Sequence, residues 1–317
     1  MIITSTCPLR ISLVGGSTDH PDFIKKYKSG SVISFPCDLK TYVTIHKDVF
    51  GANTLEKKYI LNYSRREEVD RLDDIQNELI RNCFNELNVD KINLFLTSDV
   101  FSLGSGLASS SAYLMSLIKA IYVLRDEVIT ESEICKLAMK IEKIFNPLVG
   151  QQDFYGSLGG LKKITFYEDQ NPDIKYLDTS IFREMDMFLI YTGVTRKSTN
   201  ILETLNIDNS LPLLGDVIQL EKAINTYDIE LFNKTIKSTW YNKKKTSTLI
   251  CENLKIKELD DILENDTDIL SHKLLGAGNG GYFLIFTEKN KENLLYNKYI
   301  NINKIKISET GIKNMYM

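Results

Sequence analysis

Histidine is scarce in this 317-residue chain. His20, His46 and His272 are the only ones, none at metal-ligand spacing from another, which argues against a zinc centre. Cysteine is nearly as sparse. Cys7, Cys37, Cys83, Cys135 and Cys251 are odd in number, far apart and without a C-x-x-C pair, as suits reduced thiols in a cytoplasm rather than a disulfide framework. Charge of one sign is missing too, since 39 Lys and Arg face 42 Asp and Glu. No basic cluster alternates with aromatic residues, so nucleic acid is not an expected partner. Lys243–Lys245 reads as a solvated helix face. No basic segment followed by a long apolar run opens the chain, and the most apolar helical stretch, Leu107 to Leu124, is interrupted by serines and Lys119. That is a buried amphipathic helix, not a membrane span, and no membrane partner is expected.

What is present is ordinary globular material, 43% hydrophobic and 26% charged, long enough for two domains or one two-lobed fold. Strand-like runs occupy Arg10–Val14, Ser31–Phe35, Thr41–His46, Tyr59–Tyr63 and Ile92–Leu96. Apolar residues every three or four positions predict a helix over Glu67–Leu87 and another starting in the Gly/Ser-rich segment after Val100. Thr130, with Glu133 three residues on, caps a helix reaching Phe145. Gly159–Phe166 reads as a closing strand, and the polar stretch Glu168–Asp173 divides the chain into domains 1–170 and 171–317. Beyond it lie a strand at Asp186–Tyr191, helical stretches near 197–205, 211–237 and 257–270, and a strand at Tyr282–Phe286. A Lys- and Asn-rich tail, Lys289–Lys304, follows. This order predicts an α+β fold rather than a doubly wound sheet.

Three glycine-bearing segments carry the chemistry. Gly104-Ser105-Gly106-Leu107-Ala108-Ser109-Ser110-Ser111-Ala112 runs straight into an amphipathic helix, where backbone amides approach an anion and serine hydroxyls reach phosphate or magnesium. A flexible loop before a Ser-capped helix is the plainer reading. The chain has no G-x-x-x-x-G-K-[ST], so any nucleotide is held by another cradle. Gly276-Ala277-Gly278-Asn279-Gly280-Gly281 precedes a strand and implies close backbone approach, or simply a tight loop. Arg10 to Asp19 is a strand leading through Gly15-Gly16 to an acid suited to a substrate hydroxyl or to an Asx turn. Glu142 and Asp153 are the acids that phosphoryl transfer requires, one for magnesium and one to position the acceptor hydroxyl, if the fold brings them together.

In this order and at these separations the three segments resemble the GHMP kinase superfamily over nearly the whole chain. The resemblance implies a two-lobed fold, with an N-terminal ribosomal-protein-S5-like domain and a C-terminal ferredoxin-like domain. It implies ATP and Mg²⁺ as cofactors. Ser110 and Glu142 match the magnesium ligands, Asp153 the catalytic acid, and Arg10 a basic residue beside the transferred phosphate. Gly104, Ser105, Gly106, Leu107, Ala108, Ser109, Ser110 and Ser111 fall on the phosphate loop. Thr18 and Asp19 match the sugar-binding segment, Arg196 is a candidate for a substrate phosphate, and Gly276, Gly278 and Gly280 flank the site. The sequence departs from the family at Ser102, where a proline is usual, and at Phe154, where Gln is common. Gly15 to Pro21, Tyr63-Ser64 with Glu67, and Tyr191 to Ser198 with Ile201-Leu202 look like the heptose 7-phosphate kinase branch. That branch implies phosphorylation of the anomeric hydroxyl to a 1,7-bisphosphate for surface-polysaccharide synthesis in the cytoplasm. The L-fucokinase domain shares much of the pattern. A sugar-and-ATP sensor that had lost catalysis would be expected to lose Asp153 or Ser110, and an ATP-dependent decarboxylase of the superfamily fits the Thr18-Asp19 segment poorly.

Overall fold

A computed structural model describes residues 1–47, 58–101, 104–168, 170–195, 201 and 203–315. The first lobe is built on two long antiparallel strands, β1 (Ile2–Val14) and β2 (Ser29–His46). β1 is buried at every position but its first, a continuous run that two covered faces require. The helix α1 (Pro21–Tyr27) joins β1 to β2. The early half of β2 pairs with β6 (Lys162–Tyr167), and its late half pairs with β5 (Asn93–Ser98). β3 (Tyr59–Asn62) lies parallel to β5 and antiparallel to β4 (Arg66–Val69). Across the sheet pack α2 (Glu78–Leu87), α3 (Ser109–Leu124) and α4 (Glu131–Phe145), with α3 lying on β1 and β2.

The capping box at Thr130 and Glu133 is present: the Thr130 hydroxyl accepts from the Glu133 amide, and the Glu133 carboxylate accepts from that of Thr130 at 2.8 Å. The helix predicted over Glu67–Leu87 is only half formed. Arg66–Val69 pairs with β3 instead, because Glu67 turns inward to accept from the Tyr63 hydroxyl and the Gln76 amide, and Asn77 starts α2. Nor does the first sheet stop at residue 170. β7 (Asp173–Tyr176) still pairs with β6, and β12 (Lys313–Met315) returns to pair with β1.

The second sheet runs β11 (Ile302–Ile305), β8 (Met185–Tyr191), β10 (Tyr282–Glu288), β9 (Ile269–Leu274), all antiparallel. Counted within the lobe this is the order 4-1-3-2 of a ferredoxin-like βαββαβ unit. Between its first two strands come α6 (Pro212–Asn225), α7 (Ile229–Lys244) and α8 (Leu254–Asn265), after the one-turn helix α5 (Gln152–Tyr155) of the first lobe. α9 (Glu292–Lys298) joins the last two. The stretch expected as one helix over 211–237 is therefore two, broken where Asp228 caps α7. Helix expected to 270 yields to β9, and the Lys/Asn-rich tail is itself a helix and a strand.

Side chains alternate across the second sheet. Phe188, Ile190, Phe283 and Ile285 face that lobe's own core, whereas Met187, Leu189, Leu284 and Phe286 join the core of the first lobe. Phe232 of α7 takes Phe182 and Phe286 edge-on at 5.5 and 5.1 Å, and Phe182 meets Phe35 of β2. One apolar core thus fixes the lobes against each other.

The lobes also meet backbone to backbone. Gly281 has φ +94°, and a Cβ there would lie 2.3 Å from the Ser105 carbonyl oxygen. Gly106 faces the Leu275 carbonyl in the same way, at 2.6 Å. Gly281→Ala should destabilise the protein by about 2 kcal/mol or more, because left-handed geometry and the overlap act together. Urea unfolding measures this, and an unchanged midpoint would mean that the two loops are not held in contact.

Candidate active site

Between the lobes lies a cleft of about 1010 Å³ whose wall includes Arg10, Asp19, Ser110, Glu142, Asp153 and Gly276. At its floor α3 begins. Gly104, Gly106 and Ala108 all have positive φ, and Ala108 is the N-cap, without a side-chain cap for the amides that follow. The first helical bond is donated by Ala112 to the Ala108 carbonyl, so the amides of Ser109, Ser110 and Ser111 lie above the ladder. No acid occupies the first turn. Three orphan amides, the positive end of a sixteen-residue helix and flanking serines form a cradle for an anion.

Arg10 enters from β1, whose pairing with β2 slips register on either side of the Arg10–Ser12 run, and its amide donates to the Leu107 carbonyl at 3.0 Å. Its guanidinium, almost wholly buried, donates through Nη2 to Asp153. Nε and Nη1 are buried with no hydrogen-bond partner among the described residues. Buried guanidinium N–H groups left unmatched beside an amide cradle fit a phosphoryl group. Asp153 sits on α5 next to Gln152, which donates its backbone amide (3.1 Å) and its side-chain Nε2 (2.7 Å) to the two oxygens of Asp19. Burial, aided by the charge of Asp153, pushes the Asp19 carboxyl up to about 6.

Glu142, late in α4, is buried under α3. Its two oxygens accept from Ser110 at 3.0 Å and Ser111 at 2.7 Å. Burial pushes its carboxyl up to about 7, against the pull of the Ser111 hydroxyl. One carboxylate with hydroxyls beside it, at the mouth of an anion cradle, suits a hard divalent cation that takes its other ligands from phosphate and water. No cluster of three or more acids, His or Cys exists among the described residues to hold a metal without them.

The sequence singled out other residues that do not line the cleft. Thr18 is fully buried, its hydroxyl bonded to the carbonyls of Gly15 and Ser31, and Gly278 packs on Ile250; both support the wall from behind. Leu107 and Ser111 lie beneath the loop, whereas Gly104, Ser105, Gly106, Ala108, Ser109 and Ser110 face the space. Arg196 lies outside the described residues. The lysines corrected the reading most. Lys243, expected on a solvated face, is buried, lines the cleft and donates to the Ser17 hydroxyl. Lys273 of β9, not singled out by the sequence, donates to the carbonyls of Ser12 and Leu13, and burial with Lys243 and Arg10 nearby pulls it down to about 7. Neither has a local signature, since each is placed by the opposite lobe.

No described helix is long and apolar enough to cross a membrane. Residues 75–160 match the family described as GHMP kinases N terminal domain. The D-glycero-α-D-manno-heptose 7-phosphate kinase of Campylobacter jejuni is 28% identical over 313 residues, spanning 92% of this chain and 91% of that protein. Two crystal structures share the fold across nearly their whole length. A D-glycero-D-manno-heptose 1-phosphate kinase from Bacteroides thetaiotaomicron has a TM-score of 0.78 at 18% identity, covering 100% of this chain and 99% of that one. Lactococcus lactis galactokinase, solved with galactose, gives 0.76 at 14% identity, with 98% and 95% covered. These matches show a GHMP kinase N-terminal domain over residues 75–160 in a chain with the fold of GHMP kinases, and they make the protein a kinase that transfers phosphate from ATP to a hydroxyl.

Proposed function

We propose that this kinase phosphorylates the anomeric hydroxyl of D-glycero-D-manno-heptose 7-phosphate, yielding the 1,7-bisphosphate for nucleotide-heptose synthesis in the cytoplasm. The relative matched over 92% of this chain, named for that sugar phosphate, supports the substrate. The observation that carries the chemistry is α5, a single turn on which Gln152 is held by Asp19 and Asp153 by Arg10. Groups for the sugar and groups for the transferred phosphoryl therefore meet at one carboxylate.

The amides of Ser109 to Ser111 and the loop from Gly104 hold the nucleotide phosphates, and Glu142 with Ser110 holds Mg²⁺. When bound, the magnesium nucleotide supplies the phosphoryl group and neutralises charge on its oxygens. Asp153 orients the acceptor hydroxyl and takes its proton. Arg10, through Nε and Nη1, receives negative charge on the group in transfer. Asp19 in its ionised form accepts a sugar hydroxyl, and Gln152 keeps that carboxylate turned to the cleft.

Asp153→Asn should retain the fold by circular dichroism and lower kcat by about 10²-fold or more, the scale of a lost positioned base. Near-wild-type turnover in the purified variant would remove Asp153 from that role. Glu142→Gln and Ser110→Ala should raise the magnesium concentration for half-maximal activity by about tenfold or more. Identical magnesium titrations in both would displace the metal from this position. Asp19 also predicts a pH effect on stability. Its folded value, about 6, lies above the ordinary 3.8, so its contribution is full below pH 3.8 and is lost as pH rises through 6. The loss amounts to about 3 kcal/mol at 1.36 kcal/mol per unit. Urea unfolding at pH 4.5 and 7 should show a flatter pH dependence for Asp19→Asn than for the wild type, and parallel curves would contradict the burial of an ionisable Asp19.

A further inference from the structure

Beside Asp19 the cleft wall holds groups that the mechanism above leaves idle. His20 is 4% exposed and its ring lines the cleft. Nδ1 accepts the Asp22 amide at 3.2 Å as the N-cap of α1, so the neutral ring carries its proton on Nε2. Burial, and then the charge of Lys243, favour that neutral ring by pulling the imidazole below its ordinary 6.5, against the opposing pull of Asp22. Nε2 itself is buried with no hydrogen-bond partner among the described residues. Such a donor is uncommon in a folded protein unless something else completes it.

Its surroundings say what that something is. Lys243 donates to Ser17 Oγ, which leaves the Ser17 proton to be donated onward. Lys273, pulled down first by burial, also stands close enough to Lys243 and Arg10 to feel the charge of both, and Asp216 is the acid opposing them. Cations gathered in a buried wall with an unmatched N–H call for an anion. The nucleotide phosphates have their own cradle at α3. Ser17 and His20 instead flank Asp19, on the side that receives the sugar.

We propose that Ser17, His20 and Lys243 are the seat of the phosphate that the sugar substrate itself carries, with His20 Nε2–H, the Lys243 ammonium and the Ser17 hydroxyl as its donors. This rests on the heptose-phosphate reading and goes further, assigning the residues that select a phosphorylated sugar over a free one. His20 is then a specificity residue, distant in role from Asp153.

The test separates the two functions of the ring. His20→Asn keeps an N-cap acceptor for the Asp22 amide and drops the Nε2 donor. Steady-state kinetics at saturating ATP are run with D-glycero-D-manno-heptose 7-phosphate and with the unphosphorylated heptose, and calorimetry follows the sugar phosphate without nucleotide. The ratio of kcat/KM for the phosphorylated over the free sugar should fall about 10- to 100-fold in His20→Asn, mostly through KM, with calorimetric affinity weakened in parallel. Lys243→Met should lower the ratio by at least as much; if it does not fold, His20→Asn decides alone. A wild-type preference for the sugar phosphate that persists undiminished in His20→Asn overturns the seat and leaves the substrate reading standing. So does an equal loss on both sugars, which would mark His20 as merely structural. A wild type with no preference for the phosphorylated heptose overturns the substrate reading, and the seat falls with it.

Discussion

Where the loop at 104–106 meets the loop at 275–281 there is no space for side chains, and carbonyl oxygens stand where a Cβ would have to be. Packing this close is rigid because nothing between the loops can rotate or yield. It fixes the start of α3 against β9 and β10, so the amide cradle belongs to both lobes although every amide in it comes from the first. The hydrogen bond from the Arg10 amide to the Leu107 carbonyl carries the same constraint into β1. From there Arg10, Asp153, Gln152 and Asp19 follow one another through direct contacts.

Burial acts on charges of either sign, and the cleft displays both cases. Asp19 and Glu142 are driven up to about 6 and about 7, whereas Lys273 is driven down to about 7. The main cause is the same for all three: each is removed from water more completely than its neighbours compensate. A site built this way is ordered by hydrogen bonds to neutral partners, such as the serines on Glu142 and the carbonyls on Lys273, rather than by ion pairing alone.

What was legible in the sequence was local. Gly104 to Ala112 declares a helix start over an anion cradle within nine residues, and Thr130 with Glu133 declares α4. The family resemblance added the pairing of Glu142 with Ser110, which the structure brings to 3.0 Å. What stayed hidden depends on partners far along the chain. Lys243 has the neighbours of a solvated lysine, and its burial comes from Ser17, 226 residues away. Arg66–Val69 carries helical periodicity but lies where β3 offers backbone bonds. The turn at Gly15 to His20 reads equally well as an Asx turn until α5 is placed against it.

The pairing of β12 with β1 has a consequence for how the protein is made. Thr4 to Thr6 bond to residues 313–315, and Ser5 Oγ donates to Asn314 at 2.7 Å. During translation β1 can pair with β2 along its whole length once His46 has emerged, as the register from Ile2 to His46 requires. Its other side stays an open edge until residues 313–315 have left the ribosome. Until then the strand that carries Arg10 presents unpaired amides and carbonyls at Thr4–Thr6, a template for another chain's strand. The short β12 acts as a latch on the finished fold, and nascent copies on one messenger are most exposed to pairing with each other before it closes.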